Sequence, residues 1–176
     1  SKPTKVSNPG VYLFDKPVAT QTEVAMMCQI DVEHHLYDAP RTDIISDVIS
    51  ESAWRALREE AGVTYGAGAY SGIYQGGGAY LALQSLVQND ATGFAIKKIL
   101  EIVDEASKGD VKEESIANSK MKIARTFVLG QQSGDQMLRR LSNTGIQNFD
   151  FFDKFAGVLA SVNKDDFKKV LKPCKG

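Results

Sequence analysis

The spacing of hydrophobic residues changes at Asp38, and this change restricts the chain to folds that contain both strands and helices. Residues 21–30 alternate between a more apolar and a more polar set, which is typical of a strand with one buried face. From Asp38 to Gly62 the apolar residues recur at steps of three and four, which predicts one long amphipathic helix that the glycine ends. We expect Asp38 to cap this helix and Pro40 to lie in its first turn. Its predicted buried residues are Ile44, Ile45, Val48, Ile49, Ala53 and Leu57.

Strand-like alternation returns after Gly62. Residues 64–74 and 79–87 flank the sequence QGGG, which predicts an antiparallel hairpin whose glycines form a turn or a bulge. A short apolar segment at residues 11–15 predicts another strand. Helical spacing fills the remainder, at residues 92–107, 112–131, 133–144, 150–162 and 164–171. The order strand-strand-helix-strand-strand-helices predicts an α+β fold, with helices packed on one face of a mostly antiparallel sheet.

Length and composition predict one domain. The 176 residues are 43% hydrophobic, which suits a single core, so we interpret residues 1–10 as a tail or linker and residues 11–176 as the domain. The 21 basic and 22 acidic residues nearly balance, which argues against a nucleic-acid partner. Since no apolar stretch reaches about 20 residues, we expect no membrane span. The compartment stays open, with cytoplasm, periplasm and mitochondrion all compatible.

The cysteines and histidines predict no metal site. Cys28 alternates with apolar residues, which predicts a buried thiol, and Cys174 is expected to be a free thiol near the chain end. His34 and His35 are adjacent, whereas two zinc-ligating histidines on one helix face are about four residues apart. We therefore expect a polar loop at the histidines and no zinc or other cofactor bound by this chain.

The sequence LREEAGVTYG at residues 57–66 is the most specific motif in the chain. Together with VYLFDKPVATQTEVAM before it and VNKDDFKKVL near the end, it resembles the C-terminal, non-zinc-binding domain of the pitrilysin and insulinase family of zinc peptidases. This family includes the mitochondrial processing peptidases. The resemblance covers roughly residues 11–171 and implies the LuxS/MPP-like fold of these metallopeptidases, in a fragment of a longer two-domain chain.

The resemblance also implies how the chain takes part in a reaction. In the family, zinc is bound by a homologous domain or subunit that carries an H-x-x-E-H motif, while an arginine and a tyrosine of the other domain hold the peptide substrate near the bond to be cut. Arg58 and Tyr65 occupy those two positions here. The resemblance thus implies a substrate-binding role for both residues, no catalytic residue in this chain alone, and a zinc-bearing partner. A homo-oligomer is also compatible.

Other interpretations remain open at the sequence level. Arg58 could pair with Glu59 or Glu60 while Tyr65 fills the edge of the core. The chain could also be a scaffold domain of the same fold, or a module that binds extended peptides at a sheet edge. The small residues at 66–69 could form the floor of a cleft or could let the long helix pack closely.

Overall fold

Three strands in the described part of the chain form one antiparallel sheet. A computed structural model describes residues 10–33, 37–74, 78–131, 134–135, 138 and 150–174. Strands β1 (Gln21–Gln29), β2 (Thr64–Ile73) and β3 (Ala79–Gln88) lie in the order β1-β3-β2, so β3 is the central strand. The alternation in the sequence predicted all three, and the α+β class is confirmed. Several predicted features lie outside the described residues. They are residues 1–9 of the tail, His34, His35, residues 75–77 of the turn and most of the helix at 133–144.

The strand predicted at residues 11–15 is wrong. These residues belong to no strand in the structure, and Val11, Leu13 and Phe14 are 87–96% exposed. Apolar alternation alone cannot supply the neighbouring strand whose hydrogen bonds define a β-strand.

The long helix predicted after Asp38 is present, and its last turn is wider than predicted. Helix α1 (Ala39–Trp54) continues as a π-helix (Arg55–Glu60), and Gly62 follows with φ +65°, the left-handed conformation that glycine adopts most easily. The six predicted core residues of this helix are all at most 2% exposed. Asp38 does not cap the helix with its side chain, which instead accepts a hydrogen bond from the Glu33 backbone N–H and pairs with Arg41.

Within the described residues, four further helices pack with α1 and the sheet. They are α2 (Thr92–Ser107), α3 (Glu113–Gln131), α4 (Asp150–Ser161) and α5 (Lys164–Val170), with short 3-10 turns at Asn89–Ala91 and Lys172–Cys174. Asn163 caps α5 through a reciprocal capping box with Asp166. Val128, which the helical spacing places on the buried face of α3, is 58% exposed, so that part of the prediction is wrong. Among the described residues, no helix is both long and apolar enough to cross a membrane.

The prediction of two free thiols is wrong, because Cys28 and Cys174 form a disulfide. Cys28 lies on β1, and the two Cα atoms are 5.3 Å apart although 146 residues separate them. The Asp31 N–H donates to the Val170 carbonyl at 2.9 Å, so the end of α5 lies beside the end of β1 and brings Cys174 within reach. Disulfides persist in oxidising compartments and are rare in the cytosol. Among the compartments that the sequence leaves open, the disulfide therefore favours an oxidising one over the cytoplasm.

The disulfide generates a prediction about stability. Replacing both cysteines by serine should lower the free energy of unfolding, since an unfolded chain without the 146-residue loop gains entropy. The chain-entropy relation gives about 5 kcal/mol for a loop of this length, and measured disulfides typically contribute about 2–4 kcal/mol. Denaturant unfolding of the double variant and of the unmodified chain measures the difference. Dithiothreitol should destabilise the unmodified chain and leave the double variant unchanged; equal midpoints for the oxidised and reduced chain would contradict the prediction.

Candidate functional site

The candidate site lies where the π-helix turns into β2. Leu57 is fully buried and fixes the π-helix to the core, and its carbonyl accepts a hydrogen bond from the Val63 N–H at 3.0 Å. This bond closes the turn around Gly62 and starts β2 directly beside the end of the helix. Arg58 follows Leu57 in sequence and is exposed. The buried Leu57 therefore fixes the backbone position of the exposed Arg58.

Arg58 and Tyr65 are adjacent in space, as the sequence predicts. The guanidinium of Arg58 lies over the ring of Tyr65, 5.6 Å from its centroid, within the range of a cation–π contact. One guanidinium nitrogen, Nη1, also donates to the backbone carbonyl of Thr64 at 3.3 Å. The tyrosine side chain is 82% exposed. The two side chains thus form one exposed polar and aromatic unit that solvent and ligands can reach.

The structural alternative for this pair is not supported by the geometry. A tyrosine that filled the edge of the core would be largely buried, whereas Tyr65 is among the most exposed large side chains of the domain. Within the part of the chain that the structure describes, Arg58 forms no ion pair with Glu59, Glu60 or another helix. Its partners are the Thr64 carbonyl and the Tyr65 ring.

A β-bulge that the sequence analysis did not locate presents Tyr65. Thr64 pairs with Val87 of β3, and Ala67 pairs with Ser85, so β2 has one residue more than β3 in this interval. The extra length falls on Tyr65 and Gly66. The sequence predicts a turn or a bulge at the glycines of the hairpin, most of which lie outside the described residues, and the irregularity that the structure describes lies at the start of β2. Gly66 beside Tyr65 is the one local signal that could have indicated it.

The small residues after the bulge lie against the core, α1 and a cavity. Ala67 and Ala69 pack against the hydrophobic core, and a Cβ atom at Gly68 would lie 3.6 Å from the Ser50 hydroxyl of α1, an ordinary van der Waals distance. Ala69 also lines a cavity of about 410 Å³ between α1, β2, α3 and α4. Arg58 and Tyr65 are not among the residues that line it.

A cluster of tyrosines near the hairpin is a second feature that the sequence analysis missed. The rings of Tyr70 and Tyr74 lie 6.2 Å and 5.7 Å from the ring of Tyr80. Desolvation, followed by electrostatic interaction with Tyr74 and Tyr70, raises the pKa of the Tyr80 hydroxyl above its ordinary value. Tyr70 and Tyr74 are four residues apart, an even spacing that places both on one face of an extended segment, so this spacing and the hairpin pairing could have predicted the cluster.

The described part of the chain offers no metal centre. No group of three or more histidine, cysteine, aspartate or glutamate side chains within it could hold a metal ion. His34 and His35 lie outside that part. Cys28 and Cys174 are joined to each other, and a disulfide sulfur is not the thiolate that ligates zinc.

Comparison with known proteins identifies the family. The family model described as the peptidase M16 inactive domain matches residues 1–123, which is more than half of the chain. No curated protein sequence matches significantly. The match agrees with the motif at residues 57–66, which lies within the matched region.

Solved structures share the fold. A protease from Helicobacter pylori superposes with a TM-score of 0.75 at 14% identity, over 89% of this chain and 39% of that one. An inactive peptidase domain from Bordetella parapertussis gives 0.72 at 11% identity, over 90% of this chain and 91% of that one. The periplasmic protease PqqL from Escherichia coli gives 0.71 at 16% identity, over 88% and 18%. This chain thus spans well under half of the two proteases and nearly all of the Bordetella domain. Because the family model matches more than half of the chain, the chain belongs to the peptidase M16 family as an inactive domain.

Proposed function

We propose that this domain is the substrate-binding half of a zinc peptidase, in which Arg58 and Tyr65 hold the carbonyl of a peptide opposite a zinc ion on a partner domain. The observation that carries this proposal is the exposed Arg58–Tyr65 pair within the family motif. An inactive domain has no need of a zinc site, and it can still contribute binding groups to a composite active site.

The chemistry of the pair suits a carbonyl oxygen that gains negative charge. Arginine stays protonated and presents a planar set of donors, and tyrosine adds a hydroxyl donor. In the free domain Nη1 of Arg58 makes only a 3.3 Å bond to the Thr64 carbonyl, at the long end of hydrogen-bond distances. The remaining guanidinium donors are available to a substrate. Such donors stabilise an oxyanion more than the neutral carbonyl, so they lower the barrier to hydrolysis.

The exposed apolar side chains on one face of the sheet support the proposal of a partner domain. Residues opposite each other in an antiparallel pair share a face, and Glu23 of β1 lies opposite Leu86 of β3 while Met27 lies opposite Ala82. Met27 is 67% exposed and Leu86 44% exposed, so this face carries apolar side chains that the helices of this domain do not cover. A homologous zinc-bearing domain is the partner we propose, with a peptide as the substrate of the assembled enzyme.

The first functional prediction concerns the two side chains. In the enzyme assembled with its zinc-bearing partner, Arg58→Ala or Tyr65→Phe should lower turnover by roughly a hundredfold to a thousandfold, because one oxyanion-type donor contributes about 3–4 kcal/mol to transition-state stabilisation. Arg58→Lys should also impair turnover, since lysine lacks the planar fork. Stability should change by only about 0–1 kcal/mol, because both side chains are exposed.

The matched control is Arg55→Ala. Arg55 lies on the same π-helix and pairs with Glu51 at 2.8 Å, one turn before the site, so its loss should leave turnover near the wild-type value. Steady-state kinetics on a fluorogenic peptide and thermal unfolding of each variant are the two measurements. Unchanged turnover with a lowered unfolding midpoint would make Arg58 and Tyr65 structural and would assign the chain to the scaffold alternative.

The second functional prediction concerns zinc. The purified chain should contain no stoichiometric zinc and should cleave no peptide, because the proposed active site needs the metal of the partner domain. Elemental analysis of this chain and of the assembled enzyme in the same buffer tests both statements. One equivalent of zinc that only a chelator removes from the isolated chain would overturn the proposed division of roles.

A further inference from the structure

We propose that Thr64 is a positioning residue for the site, and that its side-chain hydroxyl holds the bulge that presents Tyr65 next to Arg58. This inference rests on the proposed function of the Arg58–Tyr65 pair. It assigns a task to a residue that touches neither a substrate carbonyl nor solvent, since Thr64 is 3% exposed.

The hydroxyl of Thr64 lies at the centre of a compact hydrogen-bond group. Its oxygen, Oγ1, is 2.6 Å from the Leu86 carbonyl oxygen, 2.8 Å from the Gly66 carbonyl oxygen, 3.0 Å from the Gly66 backbone nitrogen and 3.0 Å from the hydroxyl of Ser85. A hydroxyl has one proton to donate and can accept two hydrogen bonds. In the arrangement that pairs every backbone group, Thr64 donates to the Leu86 carbonyl and accepts from the Gly66 N–H, while Ser85 donates its proton to the Gly66 carbonyl.

Ser85 completes the group from the central strand. It is 3% exposed, and its hydroxyl lies 3.0 Å from the Gly66 carbonyl as well as from Thr64. The N–H and the carbonyl of Gly66 are therefore both within hydrogen-bond distance of these two hydroxyls. The strand pairing of β2 with β3 skips Tyr65 and Gly66. Side-chain hydroxyls thus bind the backbone of Gly66 where the bulge interrupts the ladder.

Thr64 is connected to both proposed substrate-binding residues. Its carbonyl accepts the hydrogen bond from Arg58, and its hydroxyl binds the residue directly after Tyr65. Tyr65 therefore lies between two residues whose backbones are fixed, although its own side chain is exposed. Removal of the hydroxyl should free the bulge without removing any group that contacts the substrate.

The test compares Thr64→Val, which keeps the shape and removes the hydroxyl, with Thr64→Ser, which keeps the hydroxyl. Thr42→Val is the matched control, because Thr42 is 1% exposed and its hydroxyl bonds the Ala39 carbonyl at the opposite end of α1. Two quantities are measured in the assembled enzyme. One is kcat and KM on an internally quenched peptide, and the other is the fluorine NMR signal of 3-fluorotyrosine placed at position 65.

Thr64→Val should lower kcat/KM by about tenfold to a hundredfold, mainly through kcat, because a small displacement of a binding group weakens transition-state contacts. The fluorine signal of position 65 should shift or broaden in the same variant. Thr64→Ser should restore both quantities toward wild type, and Thr42→Val should leave both unchanged. If Thr64→Val does not fold, Ser85→Ala provides the test, since it removes the partner of the Gly66 carbonyl and should change both quantities in the same direction.

Several results would overturn the proposal. Wild-type kinetics and an unmoved fluorine signal in Thr64→Val would show that the hydroxyl positions nothing. A moved signal with unchanged kcat/KM, in an enzyme that Tyr65→Phe impairs, would separate the bulge from catalysis. Equal losses in Thr64→Val and Thr42→Val would indicate general destabilisation. If Arg58→Ala and Tyr65→Phe themselves keep full turnover, the proposed function fails and the positioning role fails with it, whatever the fluorine signal shows.

Discussion

The burial of one face of α1 against the rest of the domain is the contact on which the arrangement of the site depends. Its core residues, from Ile44 to Leu57, are at most 2% exposed. A close-packed interior resists displacement of any one of them. Because Leu57 is the last buried residue before the turn, the position of Arg58 follows from the core rather than from a flexible loop. The site is then one residue away from the buried core.

Two irregularities lie on either side of Gly62, and each has an identifiable role. The π-helix widens the last turn of the helix, and the bulge adds one residue to the start of β2. Both kinds of irregularity are frequent at functional sites, because they redirect side chains that regular structure would point elsewhere. Their backbone groups still need partners, which here include Val63, Leu57 and the hydroxyls of Thr64 and Ser85. The backbone polar groups of these two irregularities are therefore largely satisfied before any substrate is present.

The proposed function divides the work between two domains, with zinc on one and the carbonyl-binding groups on the other. In such an arrangement the catalytic ion and the groups that bind the carbonyl approach the substrate from two separate bodies, so rigidity within each body matters for their alignment. The disulfide between Cys28 and Cys174 contributes to that rigidity at the far side of the sheet, where it joins β1 to the turn after α5. The disulfide that stabilises the domain and the Arg58–Tyr65 pair that we propose binds the substrate thus lie in different parts of the fold.

The sequence by itself determined the features that depend only on the residues of one segment. Alternation predicted β1, β2 and β3, helical spacing predicted the buried residues of α1, and the motif at residues 57–66 placed Arg58 beside Tyr65 and indicated the family. Tertiary structure alone decided the pairing of Cys28 with Cys174, the exposure of residues 11–14 and of Val128, and the bulge held by Thr64 and Ser85. Each of these features depends on which distant segments contact each other, and the hydrophobic spacing within one segment does not indicate which other segment it contacts.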